Sequence, residues 1–199
     1  MLPRRLSLAA LLPCLFAVVA AIAAKAEPGV TVGWHDELDE TREWTSFPPP
    51  NEVEKLTPRS GGMRLRIPLT DTPESAPPFH WGTVHRTVEV DLDRYPVLAV
   101  RTLRRSRDTW WDCMVQEVRE GQLVGNEYKT ASLRKASLIL YDLPRETGLT
   151  GKKQLRLRLN VARVKRGCWV DYDYVRFVSR EDAQVLRRNP NFQPVVQRP

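Results

Sequence analysis

The sequence Leu155-Arg156-Leu157-Arg158-Leu159-Asn160-Val161 has an apolar residue at every second position and a charged or polar residue between each pair. Alternate residues of a β-strand point to opposite faces of a sheet, so this pattern predicts a strand with one buried face and one solvated face. The stretch Met63-Arg64-Leu65-Arg66-Ile67 repeats the pattern. Almost no segment shows helical spacing, and the sequence therefore predicts an all-β fold.

Eight segments of this kind are predicted to be strands, and proline- and glycine-rich turns separate them. They cover residues 30–38, 63–67, 84–92, 97–103, 113–119, 137–143, 155–161 and 168–178. The sequence Asp93-Arg94-Tyr95-Pro96 predicts a tight corner between two strands. Ser179 and Asp182 have the spacing of a helix cap, which predicts a short C-terminal helix over about two turns.

The first 26 of the 199 residues have the pattern of a secretory signal peptide. Arg4 and Arg5 precede an apolar run, and small residues, Ala24 and Ala26, end it. We therefore expect a leader at 1–26, a domain at 27–179, and a short helix with a loose tail at 180–199. A membrane anchor is the less favoured alternative, because the run is rich in alanine and broken by Pro13. The paired arginines leave general secretion and twin-arginine export open, and the predicted location is secreted or periplasmic.

The charge of the chain does not point to nucleic acid. The formal net charge is +7, but the predicted leader holds three of the 31 basic residues and none of the 24 acidic ones, which leaves +4. Such a mild excess on an exported protein makes nucleic acid an unfavourable partner. No membrane span is expected once the leader is removed.

Two cysteines follow the predicted leader, Cys113 and Cys168. An even number of cysteines in an oxidising compartment predicts one disulfide between them. The alternative is a pair of buried free thiols.

Three strings carry a family resemblance: Val90-Asp91-Leu92-Asp93-Arg94-Tyr95-Pro96-Val97-Leu98, then residues 151–159, and finally Val170-Asp171-Tyr172-Asp173-Tyr174-Val175-Arg176-Phe177. Together they are similar to galactose-binding-like jelly-roll domains and carbohydrate-binding modules. The resemblance implies a two-sheet antiparallel jelly-roll sandwich of about eight strands. It also implies that segments 63–67 and 97–103 both lie beside segment 155–161.

The same resemblance implies a structural calcium ion near the chain ends. Candidate carboxylate ligands are Asp36, Asp39, Asp171 and Asp173, since Ca²⁺ prefers oxygen ligands. Exposed acidic residues that are merely solvated are the alternative.

If the implied strand order holds, five arginines share one sheet face: Arg64, Arg66, Arg101, Arg156 and Arg158. Neighbouring guanidinium groups repel one another unless acids or a polyanion lie among them, and arginine suits planar contact with carboxylate or sulfate. This patch predicts a surface for an acidic polysaccharide, either uronate-containing or sulfated. The alternative is a solvated face that the arginine stems cover.

Aromatic side chains are the second expected part of a sugar site. Trp81 and Trp110 are the preferred stacking residues, and Tyr128 lies beside a predicted loop. Trp111 shares strand parity with Cys113 and is assigned to the core, so Trp110 is expected to point outward. The remaining tryptophans, Trp34, Trp44 and Trp169, are assigned to packing.

No nucleophile elbow, phosphate loop or zinc pattern occurs in the sequence. The favoured function is an exported, non-catalytic carbohydrate-binding module without a required cofactor. One alternative is a jelly-roll polysaccharide lyase that uses Arg101, Tyr128 and His85. The other is a secreted protein-interaction domain without a sugar ligand.

Overall fold

The stretch with the most regular alternation forms a strand in the middle of a sheet, Lys152–Arg163. The computed structural model of the chain describes residues 30–46, 53–68, 80–107, 109–130, 137–163, 167–191 and 194–195. The predicted leader and the last four residues lie outside these ranges. No helix within them is both long and apolar enough to span a membrane.

Within the described ranges the strands are β1 (Val30–Asp36), β2 (Thr45–Ser46), β3 (Glu54–Leu56), β4 (Met63–Arg66), β5 (His80–Asp91), β6 (Val97–Arg105), β7 (Trp110–Arg119), β8 (Gln122–Lys129), β9 (Leu138–Asp142), β10 (Lys152–Arg163), β11 (Trp169–Val178) and β12 (Pro194–Val195). A 3-10 turn covers Thr41–Glu43, and the α-helices are α1 (Leu143–Thr147) and α2 (Arg180–Arg188).

These strands form two sheets. The five-stranded sheet has the order β2-β5-β10-β7-β8, and all of its pairs are antiparallel. The seven-stranded sheet is built around β11, which pairs with β6 and also with β1 and β4. The short β1–β12 pair is parallel. The predicted antiparallel β-sandwich is confirmed, and each of the eight predicted segments contains a strand.

The core lies between the sheets and consists of the apolar positions of the alternating strands. On β10, Leu155, Leu157 and Leu159 are fully buried. Trp111 of β7 meets Tyr172 of β11 edge to face, with ring centroids 5.7 Å apart, so this contact joins the two sheets. Burial of a large apolar side chain stabilises the fold by roughly 2 to 3 kcal/mol. The assignment of Trp111 to the core is confirmed.

The connections follow the turn residues of the sequence. The corner after β5 carries the chain to the other sheet, and the N–H of Tyr95 donates to the Asp91 carbonyl at 2.9 Å. Between β7 and β8, Glu120 and Gly121 both have positive φ, as a tight hairpin turn requires. The predicted C-terminal helix is also present as α2. Ser179 caps its first turn, and the Ser179 side chain accepts a hydrogen bond from the N–H of Asp182 at 3.1 Å.

The strand order implied for segment 155–161 is wrong. β4 and β6 both pair with β11 in the seven-stranded sheet, whereas β10 pairs with β5 and β7 in the other sheet. Alternation reports which face of a strand is buried, and β4 and β10 each bury one face against the same core. The pattern therefore could not assign the two strands to a sheet.

The predicted disulfide is not formed in the structure: Cys113 and Cys168 are both buried and are not bonded to each other. Cys113 lies near Tyr172, and burial is the main cause that raises the pKa of its thiol. Cys113 lies on β7 of the five-stranded sheet, whereas Cys168 directly precedes β11 of the seven-stranded sheet. A disulfide needs Cα atoms about 6 Å apart, and spacing along the chain does not report how residues of two different sheets are placed.

Candidate functional site

The outward-pointing side chains of β5, β10 and β7 form a surface that we call the outer face. Strand register defines its rows, because residues paired across neighbouring strands share a face. From one end to the other the rows are Trp81–Ala162–Trp110, Thr83–Asn160–Asp112, His85–Arg158–Met114 and Thr87–Arg156–Gln116.

The first row places two tryptophans on either side of an alanine. Trp81 and Trp110 both pair in register with Ala162, from opposite sides of β10. Two strand spacings separate their backbones by about 10 Å. Trp81 is 42% exposed, and Trp110 is half-buried. The small side chain of Ala162 thus lies in register between two large aromatic groups.

The second row is a buried chain of hydrogen bonds across three strands. The Thr83 hydroxyl donates to Asn160 Oδ1 at 2.6 Å, and Asn160 Nδ2 donates to Asp112 Oδ1 at 2.6 Å. Lys129 of β8 completes it, with its Nζ 3.1 Å from Asp112 Oδ2. Buried polar groups that are fully paired make a rigid support. This row therefore holds the three strands together next to the tryptophan row. The half-exposed Lys129 reaches the surface.

The remaining two rows are cationic. Arg158 forms an ion pair with Glu127 of β8. Arg156 is partly exposed, and its buried Nε has no hydrogen-bond acceptor among the described residues. The pKa of His85 is lowered. Burial is the largest cause, and the positive charges of the nearby Arg156 and Arg158 add to it. His85 is therefore neutral at pH 7 in the free protein.

The predicted patch of five arginines does not form, because the residues are divided between two sheets. Arg156 and Arg158 lie on the outer face, whereas β4 and β6 carry the other three on the opposite face of the sandwich. Those three are already compensated by acids: Arg64 pairs with Asp171 (2.6 Å), Arg66 with Glu54 (2.5 Å) and Arg101 with Asp173 (2.9 Å). The hydrogen bonds that Arg64 donates to Asp171 are the main cause that raises the pKa of Arg64.

The opposite face is further closed by stacking and by a buried ion pair. The Arg64 guanidinium lies 4.0 Å from the centroid of the Trp169 ring. Arg176 is 1% exposed, lies 3.8 Å from the Tyr174 ring centroid, and donates two hydrogen bonds to Glu37, at 2.9 and 2.7 Å. These contacts leave few unpaired cations on this side of the sandwich among the residues described.

Tyr128 does not lie with the tryptophans. It pairs in register with the buried Val115, and its hydroxyl donates to the Thr147 carbonyl at 3.3 Å. The arrangement expected of a lyase is likewise not assembled, because Arg101 belongs to the seven-stranded sheet and His85 to the other. The assignments of Trp34 and Trp44 to packing agree with their contacts, since Trp44 is buried and Trp34 packs against Phe177.

The four aspartates proposed for calcium do not form a cluster. Within the described part of the chain, no three His, Cys, Asp or Glu side chains lie close enough together to hold a metal ion. Asp39 is exposed. The other three are held by arginines: Asp36 by Arg86, Asp171 by Arg64 and Asp173 by Arg101. A carboxylate that already compensates a guanidinium group is a poor ligand for a second cation.

Sequence reasoning missed Ala162 and Asp112. Strand parity identifies Trp110 as outward-pointing. That Trp110 and Trp81 lie in the same row depends on the register of β5 and β7 against β10, and no local sequence pattern reports this register. Asp112 shares parity with Trp110, and this spacing is the one signal that could have found it.

The fold and this face define an antiparallel β-sandwich with an aromatic and polar surface on one sheet. No protein-family model matches the chain, and no curated protein matches it. Among solved structures it is similar to the carbohydrate-binding module CBM61 in complex with β-1,4-galactotriose, with 12% identity, a TM-score of 0.39, and coverage of 71% of this chain and 92% of that chain.

It is also similar to CBM28, a carbohydrate-binding module specific for non-crystalline cellulose, with 10% identity, a TM-score of 0.36, and coverage of 71% and 90% of the two chains. Likeness at this level carries no argument about function. The proposal below therefore rests on the outer face.

Proposed function

We propose that this protein is a non-catalytic carbohydrate-binding module and that it binds a glycan chain on the outer face of the five-stranded sheet. The row Trp81–Ala162–Trp110 is the observation that carries the proposal. A large apolar residue that is 42% exposed loses its contact with water when a ligand covers it.

Sugar rings suit such a row. A pyranose ring presents C–H groups on its faces, and the face of an aromatic ring carries partial negative charge that attracts them. The residue between the tryptophans, Ala162, has a small side chain. A flat glycan that lies across Trp81 and Trp110 would therefore meet a methyl group, and not a larger side chain, at that position.

Polar groups near this row can meet the sugar hydroxyls. Lys129 is half-exposed beside the buried Asp112, and Glu127 also reaches the surface. A mainly aromatic platform with a few polar groups at its border is the usual composition of a small-ligand site. The finer part of the proposal is that the glycan is acidic, since the rows beyond Asn160 carry Arg156 and Arg158.

We further propose that the protein acts outside the cytoplasm. The support is the leader pattern of residues 1–26, with Arg4 and Arg5 before an apolar run. Polysaccharides of cell walls and envelopes are the glycans that an exported module meets.

The Trp81→Ala and Trp110→Ala variants test the proposal. Each is expected to weaken binding of a glycan identified on an array by about thirtyfold, because truncation of an aromatic anchor costs about 2 kcal/mol. Isothermal titration measures the affinity. Leu56→Ala is the matched control, since Leu56 is a 38% exposed apolar residue on the other sheet.

Two outcomes separate the alternative functions. Unsaturated products from a uronate polymer, seen as ultraviolet absorbance, would make the protein a lyase. If no glycan on the array binds and the protein forms a stable complex with another exported protein, it is an interaction domain. Retention of full affinity by both tryptophan variants would move the binding site elsewhere.

A further inference from the structure

Arg156 has an uncompensated positive charge at one end of the outer face. The four other arginines of the predicted patch each pair with an acid. For Arg156, no ion pair and no hydrogen-bond acceptor for its Nε occur among the residues that the structure describes. Because this Nε is buried, an anion would meet the partly exposed guanidinium group through its terminal Nη atoms, and the bound anion would balance the positive charge.

The surroundings of Arg156 leave it accessible and positive. In its row, Thr87 on β5 is exposed and Gln116 on β7 is half-buried, and neither is charged. Arg158 lies in the next row toward the tryptophans, and its charge is balanced by Glu127. Glu89 lies in the row beyond and limits the positive region on that side. The uncompensated charge is therefore confined to the position of Arg156.

The position of this charge relative to the tryptophans restricts the ligand. Arg156 precedes Ala162 by six residues on β10, which is about 20 Å along the strand. A single sugar cannot contact both ends of the face. A chain of several sugar units can, with its rings on Trp81 and Trp110 and an acidic unit at Arg156.

Resting on the proposed function, we propose that Arg156 is the subsite that recognises the carboxylate of a uronate residue in the bound glycan, at the end of the outer face remote from Trp81 and Trp110. The planar fork of a guanidinium group matches the two oxygens of a carboxylate and binds them with paired hydrogen bonds. Arg158 does not take this role, because it already forms an ion pair with Glu127. Lys129 does not take it either, because it forms an ion pair with Asp112.

The test compares two ligands that differ only in charge, oligogalacturonate and its methyl ester, by isothermal titration at low salt. The wild-type protein is expected to bind the acid at least about tenfold more tightly than the ester. Arg156→Gln is expected to remove this preference and to leave affinity for the ester unchanged. Arg156→Lys keeps the charge without the planar fork and is expected to restore only part of the preference.

Two control variants isolate the residue. Arg145→Gln removes the same charge from an 81% exposed side chain on α1 and is expected to keep the full preference. The double variant Glu40→Gln with Arg42→Gln removes a balanced pair that lies outside the outer face and is also expected to keep it. Circular dichroism and the melting temperature of each variant show whether the sandwich remains folded.

Each outcome decides between the subsite and the function. If Arg156→Gln still prefers the acid as the wild type does, the subsite is overturned and carbohydrate binding stands. The same conclusion follows if a sulfated glycan without uronate replaces oligogalacturonate as the preferred ligand. Equal binding of acid and ester by the wild type also overturns the subsite. If the wild type binds no glycan at any salt concentration, the proposed function fails first.

Discussion

His85 is the titratable side chain that links the outer face to pH. On β10, Arg158 lies opposite it and Arg156 one row away, and on β2 its partner is Thr45, which does not titrate. Burial is the largest cause that lowers the pKa of His85, followed by the charges of the two arginines. A carboxylate bound at Arg156 would oppose the effect of those charges. The pKa of His85 is therefore higher in the complex than in the free protein.

Affinity for an acidic glycan should consequently increase as the pH falls. Because binding favours protonated His85, oligogalacturonate is expected to bind severalfold more tightly at pH 5.5 than at pH 7.5. Isothermal titration at both pH values measures this change. His85→Gln should abolish it, and the methyl ester should show little of it. A pH dependence that persists in His85→Gln would assign the effect to another group.

Folding stability should show the opposite trend from the same residue. The folded-state pKa of His85 lies below its ordinary value near 6.5, so the folded protein binds fewer protons than the unfolded chain. The contribution of neutral His85 is present above that ordinary value and is lost as the pH falls through the lower, folded-state pKa. Binding and stability thus respond to acid with different signs.

At the scale of elements, the turn before β4 depends on two successive glycines with positive φ. Gly61 has a φ of 82° and Gly62 a φ of 78°. A Cβ atom on Gly62 would lie 2.1 Å from the carbonyl oxygen of Tyr172 in β11, whereas one on Gly61 would meet nothing within 4 Å. The two positions share the same backbone strain and differ in the space available.

This difference makes a matched pair of variants. Gly61→Ala is expected to destabilise the protein by about 1 kcal/mol, the cost of a left-handed conformation for alanine. Gly62→Ala adds a clash between backbone atoms of two paired strands and should cost about 3 kcal/mol or more. Urea unfolding of both variants measures the free energies. Equal losses would mean that β4 moves away from β11 at no cost.

The strands differ in how far the sequence could predict them. β10 and β4 alternate strictly, because each has one face in the core and one in solvent, and both were predicted. β8 is not among the eight predicted segments, because its residues are mostly exposed and show no alternation. It is a strand only because the turn at Glu120 and Gly121 folds it back onto β7. Hairpin geometry, and not hydrophobicity, decides its structure.

The candidate site was predictable in part for the same reason. Parity on a single strand separated Trp110 from the buried Trp111. Grouping Arg64 with Arg156 required the pairing of strands that lie about 90 residues apart, and two strands with the same period fit either sheet equally well. Local patterns report which way a side chain points. Neighbours across strands depend on the topology of the whole chain.

At the scale of the whole molecule, the two sheets present different surfaces. The seven-stranded sheet is covered on its outer side by α2, and its exposed arginines are bound to acids. The outer face of the five-stranded sheet carries the exposed Trp81 and the uncompensated Arg156. We therefore infer that the seven-stranded sheet supports the fold and that the five-stranded sheet contacts the ligand. Substitutions on the covered sheet should therefore alter stability without altering ligand preference.

Leu186 on α2 tests this division. It is fully buried in a second apolar cluster, where it packs with residues of β6 and β11 that include Val97 and Tyr174. Leu186→Ala is expected to destabilise the protein by about 3 kcal/mol, since it removes buried methyl groups and leaves a cavity. Gln184→Ala, at an exposed position of the same helix, should be neutral or slightly stabilising. Thermal and urea unfolding give both values.

The same variant must keep its binding properties if the sheets act separately. Below its melting temperature, Leu186→Ala should bind oligogalacturonate with the affinity of the wild type, because α2 and the outer face lie on opposite sides of the core. A loss of both stability and affinity would show that packing beneath α2 reaches the tryptophan row through the core. A loss of neither would mean that α2 contributes little to the sandwich, despite the burial of Leu186 and Ala183.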